Sequence, residues 1–312
     1  MQAPSPPHYR KILTLLAAVA ALGAVFMLAA PAVGARELRV AIDRVDAGAA
    51  QAGAVAMRLR TGAAGADPVG LTIEAQYVAL PGVALRLERV AWACERVLTL
   101  EPLACDGALQ VGARAAGRLA VDLSAARTRA EWSMGRRSLR VDKDVASPWR
   151  LAAQRIPLAW LEDFAKQLWA DGRFGAGTVS GRLTVPTGTV GTRIDAELQL
   201  DGLAFDTPDG LLAGAGLTLP LTLRYEAGPA GAVAPERTRL TLRGALAAGE
   251  LLVSPIYLAV PATGVGLQLD AESVPDGGWR LSHWQWDDPG ALAAAGHAAL
   301  DMDGRVTALA AR

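Results

Sequence analysis

The side chains best suited to chemistry are gathered in WRLSHWQWDDPG, Trp279 to Gly290, where His283, Asp287 and Asp288 lie near Trp284 and Trp286. A histidine beside two carboxylates is a minimal set for moving a proton or holding a metal ion. Strand alternation works against that use. It puts His283, Gln285 and Asp287 on one side and Trp284 and Trp286 on the other. The reading that follows is a strand end with two indoles turned to a core or interface, closed by an Asp-Pro-Gly turn. Such a pair also suits a lipid headgroup level or a sugar ring.

Other catalytic signatures fall short. In GTVSG, Ser180 stands one place late for a G-x-S-x-G elbow. The glycines of GRFGAGTVSG miss the G-x-G-x-x-G spacing and lead into a strand instead of a helix, so no dinucleotide site is expected. The histidines are at 8, 283 and 297, too few to complete a zinc site with the two cysteines. No catalytic residue, metal or cofactor is assigned, and the protein is read as a non-enzyme.

Cys94 and Cys105 flank a possible turn in VAWACERVLTLEPLACDGAL. A disulfide there closes a loop of about a dozen residues, which contributes on the order of 3 kcal/mol by chain entropy. Two buried thiols are the alternative, and an oxidising compartment favours the bond. The N-terminus points to that compartment. Arg10 and Lys11 precede an uncharged run from Ile12 to Ala35, and Ile12–Ala30 alone is 19 residues. Roughly 20 apolar residues span a bilayer. Residues 1–35 are therefore expected to be an uncleaved anchor, or a signal segment cut after Val33-Gly34-Ala35, with the basic flank in the cytoplasm. Losing Arg10 and Lys11 takes 31 basic residues to 29 against 31 acidic ones. That balance offers no basic field for nucleic acid.

The rest of the chain must position whatever these residues do, and it alternates. In RIDAELQLDG, Ile194, Ala196, Leu198 and Leu200 share a face opposite Arg193, Asp195, Glu197 and Gln199. In LTLPLTLRYE the set is Leu217, Leu219, Leu221, Leu223 and Tyr225; in ERTRLTLRG it is Leu240 and Leu242. VGLQLDAE adds Leu267 and Leu269. Asp-Gly and Pro-Gly pairs punctuate roughly fifteen such runs, an antiparallel all-β pattern. Phase changes at Gly202 and between Leu87 and Val90 suggest bulges, which bend a sheet. Leu158–Asp171 departs from the pattern: Leu158, Leu161, Phe164, Ala165 and Leu168 line one face of an amphipathic helix between Pro157 and Gly172. That helix is expected to cover part of the core or to cap the sheet. Three segments result: 1–35, a first β-segment 36–156, and the helix with a second β-segment, 157–312. The alternation leaves a barrel, a sandwich and a curved open sheet as solutions.

The anchor Ile12–Ala30 followed at once by strands, the segment IPLAWLEDFAKQLW…GAGTVSGRLTV, and the paired runs Gly202–Tyr225 and Gly249–Val260 resemble the AsmA-like envelope proteins, including TamB-like and YdbH-like members. In the second feature a P-L-x-x-L helix leads to a G-x-x-x-G-x-L-x-V strand through Gly177, Gly181, Leu183 and Val185. The resemblance implies a long curved antiparallel sheet, a repeating β-groove, behind one transmembrane helix. It implies phospholipid movement between membranes, or support of the outer membrane, from the periplasmic side of the inner membrane of a Gram-negative cell. An acyl-binding groove of this kind would be lined by Leu198, Leu200, Leu217, Leu219, Leu221, Leu240, Leu242, Leu267 and Leu269. The best-known members are much longer. The alternative is an envelope scaffold laid out like the small N component of type II secretion, with a closed β-domain that binds protein.

Overall fold

A computed structural model describes residues 36–46, 50–61, 68–80, 85–94, 97–100, 103–162, 166, 171–186, 192–228, 238–274, 278–301 and 306–311. The chain is all-β and antiparallel throughout. It divides into two compact units. One runs to Ala125 and includes Trp132–Gly135; the other holds Ala126–Glu131 and everything from Arg136. The boundary cuts strand β8 (Arg127–Met134) in two.

The first unit contains β1 (Arg36–Asp46), β2 (Gln51–Thr61), β3 (Pro68–Leu80), β4 (Leu85–Cys94), β5 (Val97–Leu100), β6 (Leu103–Val111) and β7 (Arg114–Leu123). Each strand pairs with its chain neighbours in an open meander, β4 and β5 together facing β6. The register carries one side chain type across the sheet. Val40 faces Met57, Met57 faces Ile73, Ile73 faces Trp92, and Trp92 faces Leu109. One row over, Leu38, Leu59, Leu71 and Cys94 oppose one another. Leu71, Trp92, Cys94 and Cys105 form the buried centre of this face. The two cysteines stand at disulfide distance with Cα atoms 6.1 Å apart. The indole N–H of Trp92 donates to the Leu119 carbonyl at 2.9 Å, which settles its one polar atom. At Arg89 the phase changes as read from the sequence, but the ladder to β3 keeps its register. A left-handed residue, φ 54°, makes the turn-over.

The second unit contains β9 (Arg137–Asp144), β10 (Trp149–Pro157), β11 (Arg173–Val185), β12 (Thr192–Asp206), β13 (Leu212–Ala227), β14 (Thr238–Leu246), β15 (Ala248–Val253), β16 (Ile256–Ala259), β17 (Val265–Ser273), β18 (Trp279–Asp288), β19 (Leu292–Leu300) and β20 (Val306–Ala311). It is again an open antiparallel meander. The long β13 is matched by β14 and β15 end to end, and these by β17 and β16. Such broken strands contribute to the twenty found among the described residues, where alternation suggested roughly fifteen. The bulge expected at Gly202 is present: three residues of β12, Asp201 to Leu203, answer two of β13. Gly202 takes φ 64°, which L-residues with side chains rarely adopt.

Of the helix expected over Leu158–Asp171, the described residues show α-helical backbone at Glu162 and Lys166, with tighter or turn geometry at either end. Its described start is a 3-10 turn, Leu158–Leu161, and Asp171 is already a turn residue leading to buried Gly172. Pro157 still belongs to β10, and no side chain caps the N-terminus, so the first turn tightens onto i→i+3 bonds. Glu162 and Lys166 are joined by an i,i+4 ion pair of 2.8 Å; residues 163–165 and 167–170 lie outside the described residues. Leu158 is buried against Gly177, where a Cβ would stand 2.9 Å from its Cδ1. The turn therefore seats on the β10–β11 corner. Among the described residues no helix is long and apolar enough to cross a bilayer, and the expected anchor within 1–35 lies outside them.

Candidate functional site

Directly paired residues in an antiparallel ladder share a face. In the second unit Leu151 pairs with Leu183, Leu183 with Ala196, Ala196 with Leu223, Leu223 with Leu242, Leu242 with Leu269, and Leu269 with Trp284. Two residues along each strand the next row runs Gly181, Leu198, Leu221, Gly244, Leu267 and Trp286. Leu200 faces Leu219, Leu203 faces Leu217 beyond the bulge, and Leu240 stands between Tyr225 and Ala271. All nine leucines singled out in the sequence therefore lie on one apolar face. The bulge in β18 keeps this true, because it carries Leu281 and Trp284 to the same side although their numbers differ in parity.

The exposure of these side chains decides what kind of face this is. Ala196, Leu203, Leu217, Val265 and Ala271 are buried. Leu198, Leu221, Leu223, Leu242, Leu267, Leu269, Trp284 and Trp286 are only half-buried. In a sandwich a second sheet about 10 Å away would cover them all. The larger residues thus touch their neighbours along the sheet and keep an outer side open.

The opposite face is charged and internally paired. Arg193 and Arg224 both donate to Asp195, each at 2.9 Å. Arg129 and Arg140 hold Asp142 at 2.7 and 2.6 Å. The Arg193 hydrogen bond, then that of Arg224, lowers the Asp195 pKa against a burial effect that raises it. A lowered carboxylate pKa gives stability above the unfolded value, about 3.9; that stability is lost as pH falls through the folded value. Asp195 is about a third exposed, so screening keeps the effect small. Asp195→Asn should lower stability by less than about 1 kcal/mol at pH 7, and the difference should close in urea titrations as pH falls through the lowered carboxylate pKa.

Charge reaches the apolar face of β9–β20 only at strand ends, in Arg137, Lys143 and Asp288 among the described residues. Lys143 is buried and spends its three donors on the carbonyls of Asp144, Val145 and Ser147. It locks the β9–β10 turn and offers nothing outward. Arg137 lies 5.8 Å from the Trp160 ring centre. The indole nitrogen of Trp284 is buried without a hydrogen-bond partner.

The polar trio of β18 does not converge. His283 pairs with Asp270 and Asp287 with Gly266 on the charged face, while Asp288 pairs with Leu292 on the apolar one. Four residues along a strand separate His283 from Asp287 by roughly 13 Å. Among the described residues no group of three His, Cys, Asp or Glu is placed to hold a metal ion. A shallow depression of about 620 Å³ is lined by Gly181, Leu198, Leu221 and Gly244 of the second apolar row and by their strand neighbours Ser180, Glu197, Gln199, Pro220, Thr222, Arg243 and Ala245.

No family model, curated protein or solved structure matches the chain. A half-exposed strip of leucine and tryptophan, without charge except at its ends, can hold an elongated apolar ligand along its length.

Leu151, Leu183 and Val141 also belong to this face, beyond the nine leucines expected to line it, although Leu183 already reads in the sequence as part of a strand. The bulge between Ala153 and Ile156, with Arg155 at φ 50°, breaks the alternation of β10 and hides Leu151. Trp284 and Trp286 were legible as a pair, but only the register to β17 joins them to the leucines.

Proposed function

We propose that the apolar face of β9–β20 holds phospholipid acyl chains, and that the protein serves lipid transport or outer-membrane maintenance in a Gram-negative envelope. The observation that carries this reading is the open outer side of its large apolar residues. Each methylene moved from water onto such a face gains about 0.8 kcal/mol. The rows from β9 to β19 run across nine strands, about 38 Å along the sheet at the usual spacing, against roughly 15 Å of hydrocarbon in one leaflet. Bulges in β10, β12 and β18 bend the strands, and we read the face as a curved groove. Headgroups stay in water at the strand ends, and the mechanism is passive, without a cofactor. An N-terminal anchor in the inner membrane and a periplasmic sheet follow from the resemblance to AsmA-like proteins.

The test is site-specific photocrosslinking of the full chain in a Gram-negative host. A benzophenone amino acid at Leu198 or Leu242 should yield phospholipid-mass adducts; at Glu197 or Arg243, on the charged face, it should not. Protein adducts at Leu198 in place of lipid would instead favour the secretion-type scaffold.

A further inference from the structure

One end of the second unit breaks the division into apolar and charged faces. There the β12–β13 turn and the β15–β16 hairpin lie side by side, tied by a hydrogen bond from the Ser254 amide to the Leu211 carbonyl at 2.8 Å. Leu212, Val253 and Ile256 pair in sequence and continue the apolar face. On the other side, where charges stand elsewhere, the row is Ala213, Leu252 and Tyr257. Leu211, Val253, Ile256 and Tyr257 are 55, 48, 68 and 61% exposed. An apolar patch on one side of a sheet suits docking against a protein surface. A tip apolar on both sides is solvated best by a medium that surrounds it.

We propose that this two-turn tip inserts into the headgroup–acyl boundary of a zwitterionic bilayer. Tyrosine with aliphatic neighbours is the composition of that boundary. The charge is selective. Asp206, Asp209 and Glu250 lie at this end against one cation, Arg173, the cross-strand partner of Asp206, and neither 203–217 nor 247–264 contains a Lys or Arg. Anionic lipid would therefore repel the tip. Depth is limited too: among the described residues β16 pairs only with β15, so its outer backbone groups need water or headgroups. Val253 and Ile256 connect through Leu251 and Leu258 to the apolar rows. On the acyl-binding reading, and only on it, the tip is where a chain would enter; the bilayer contact itself does not depend on that reading.

The test uses the full chain in phosphatidylcholine–phosphatidylethanolamine vesicles. The native cysteines are paired with each other. A single Ile256→Cys change therefore carries an environment-sensitive nitrobenzoxadiazole label. Val145→Cys, at the opposite strand ends and 71% exposed, is the control. The Ile256 label should shift to the blue and lose intensity to doxyl-labelled lipid, while the Val145 label does neither. Added phosphatidylglycerol should weaken the effect. A Val145-like response at Ile256, a blue shift without quenching, or strengthening by anionic lipid would overturn the proposal. Repeating the measurement with Leu198→Asp and Leu219→Asp separates the two readings. Quenching that survives comes from the bilayer; quenching that vanishes came from lipid lying on the face, which sinks the tip and spares the groove.

Discussion

A protein carrying Leu198→Asp and Leu219→Asp is expected to fold and to lose its grip on acyl chains. The two leucines are diagonal neighbours on the apolar face, since Leu198 pairs with Leu221 and Leu200 with Leu219. Both are half-buried with an open outer side. A carboxylate at either position keeps water on that side. The cost to folding is then mainly lost side-chain burial, about 2–3 kcal/mol for the pair. A chain laid across the two positions must strip water from two anions and give up three or four methylene contacts. Affinity for a fluorescent fatty acid should fall about 100-fold. Leu198→Met and Leu219→Met should change little. The same variant distinguishes the alternative architecture. In a closed core each carboxylate would cost several kcal/mol, and the pair would exceed much of a domain's usual stability. An unfolded double variant would mean a closed core, and a folded one that still binds would move the site elsewhere.

Trp92→Ala should be the most destabilising single truncation in the first unit, at about 3–5 kcal/mol. Trp92 is 7% exposed and packs with Leu71, Cys94 and Cys105. Its removal opens a cavity beside the cysteine pair and leaves the Leu119 carbonyl without the indole. Trp92→Phe keeps most of the volume and should cost about 1–2 kcal/mol, mainly the hydrogen bond. Trp160, 45% exposed, is the comparison, and Trp160→Ala should cost under about 1 kcal/mol. Urea midpoints followed by near-ultraviolet circular dichroism give all three. Equal costs at Trp92 and Trp160 would refute this account of the core.

The strands were legible because a one-sided sheet writes itself as alternation. Arg193, Asp195 and Glu197 against Ile194, Ala196 and Leu198 already state which side meets water. Alternation also placed the nine leucines on one face, since Leu217 to Tyr225 keep phase along β13. It could not say whether that face is covered, because a sandwich strand and an uncovered strand read alike. Nor could it see residues behind a left-handed backbone position, as Arg155 hides Leu151. The helical spacing after Leu158 was legible, but not the 3-10 geometry of its first turn, Leu158–Leu161, which an uncapped start at a strand end favours. The two-sided apolar tip left a trace in LLVSPIYLAV, which alternates poorly, yet only the neighbouring turn at Leu211 gives that irregularity a meaning.

The meander has a consequence for how such a chain is made and remade. Within each unit, strands bond to partners that are close in sequence, so a hairpin can join the growing edge as soon as it emerges from synthesis, with no wait for distant segments. The ladder is additive in the same way as a stacked repeat, where each piece depends on its immediate neighbours. Gain or loss of a hairpin shifts every later strand by an even step and leaves its inward and outward sides unchanged. Length in this architecture is therefore a quantity that duplication can tune two strands at a time.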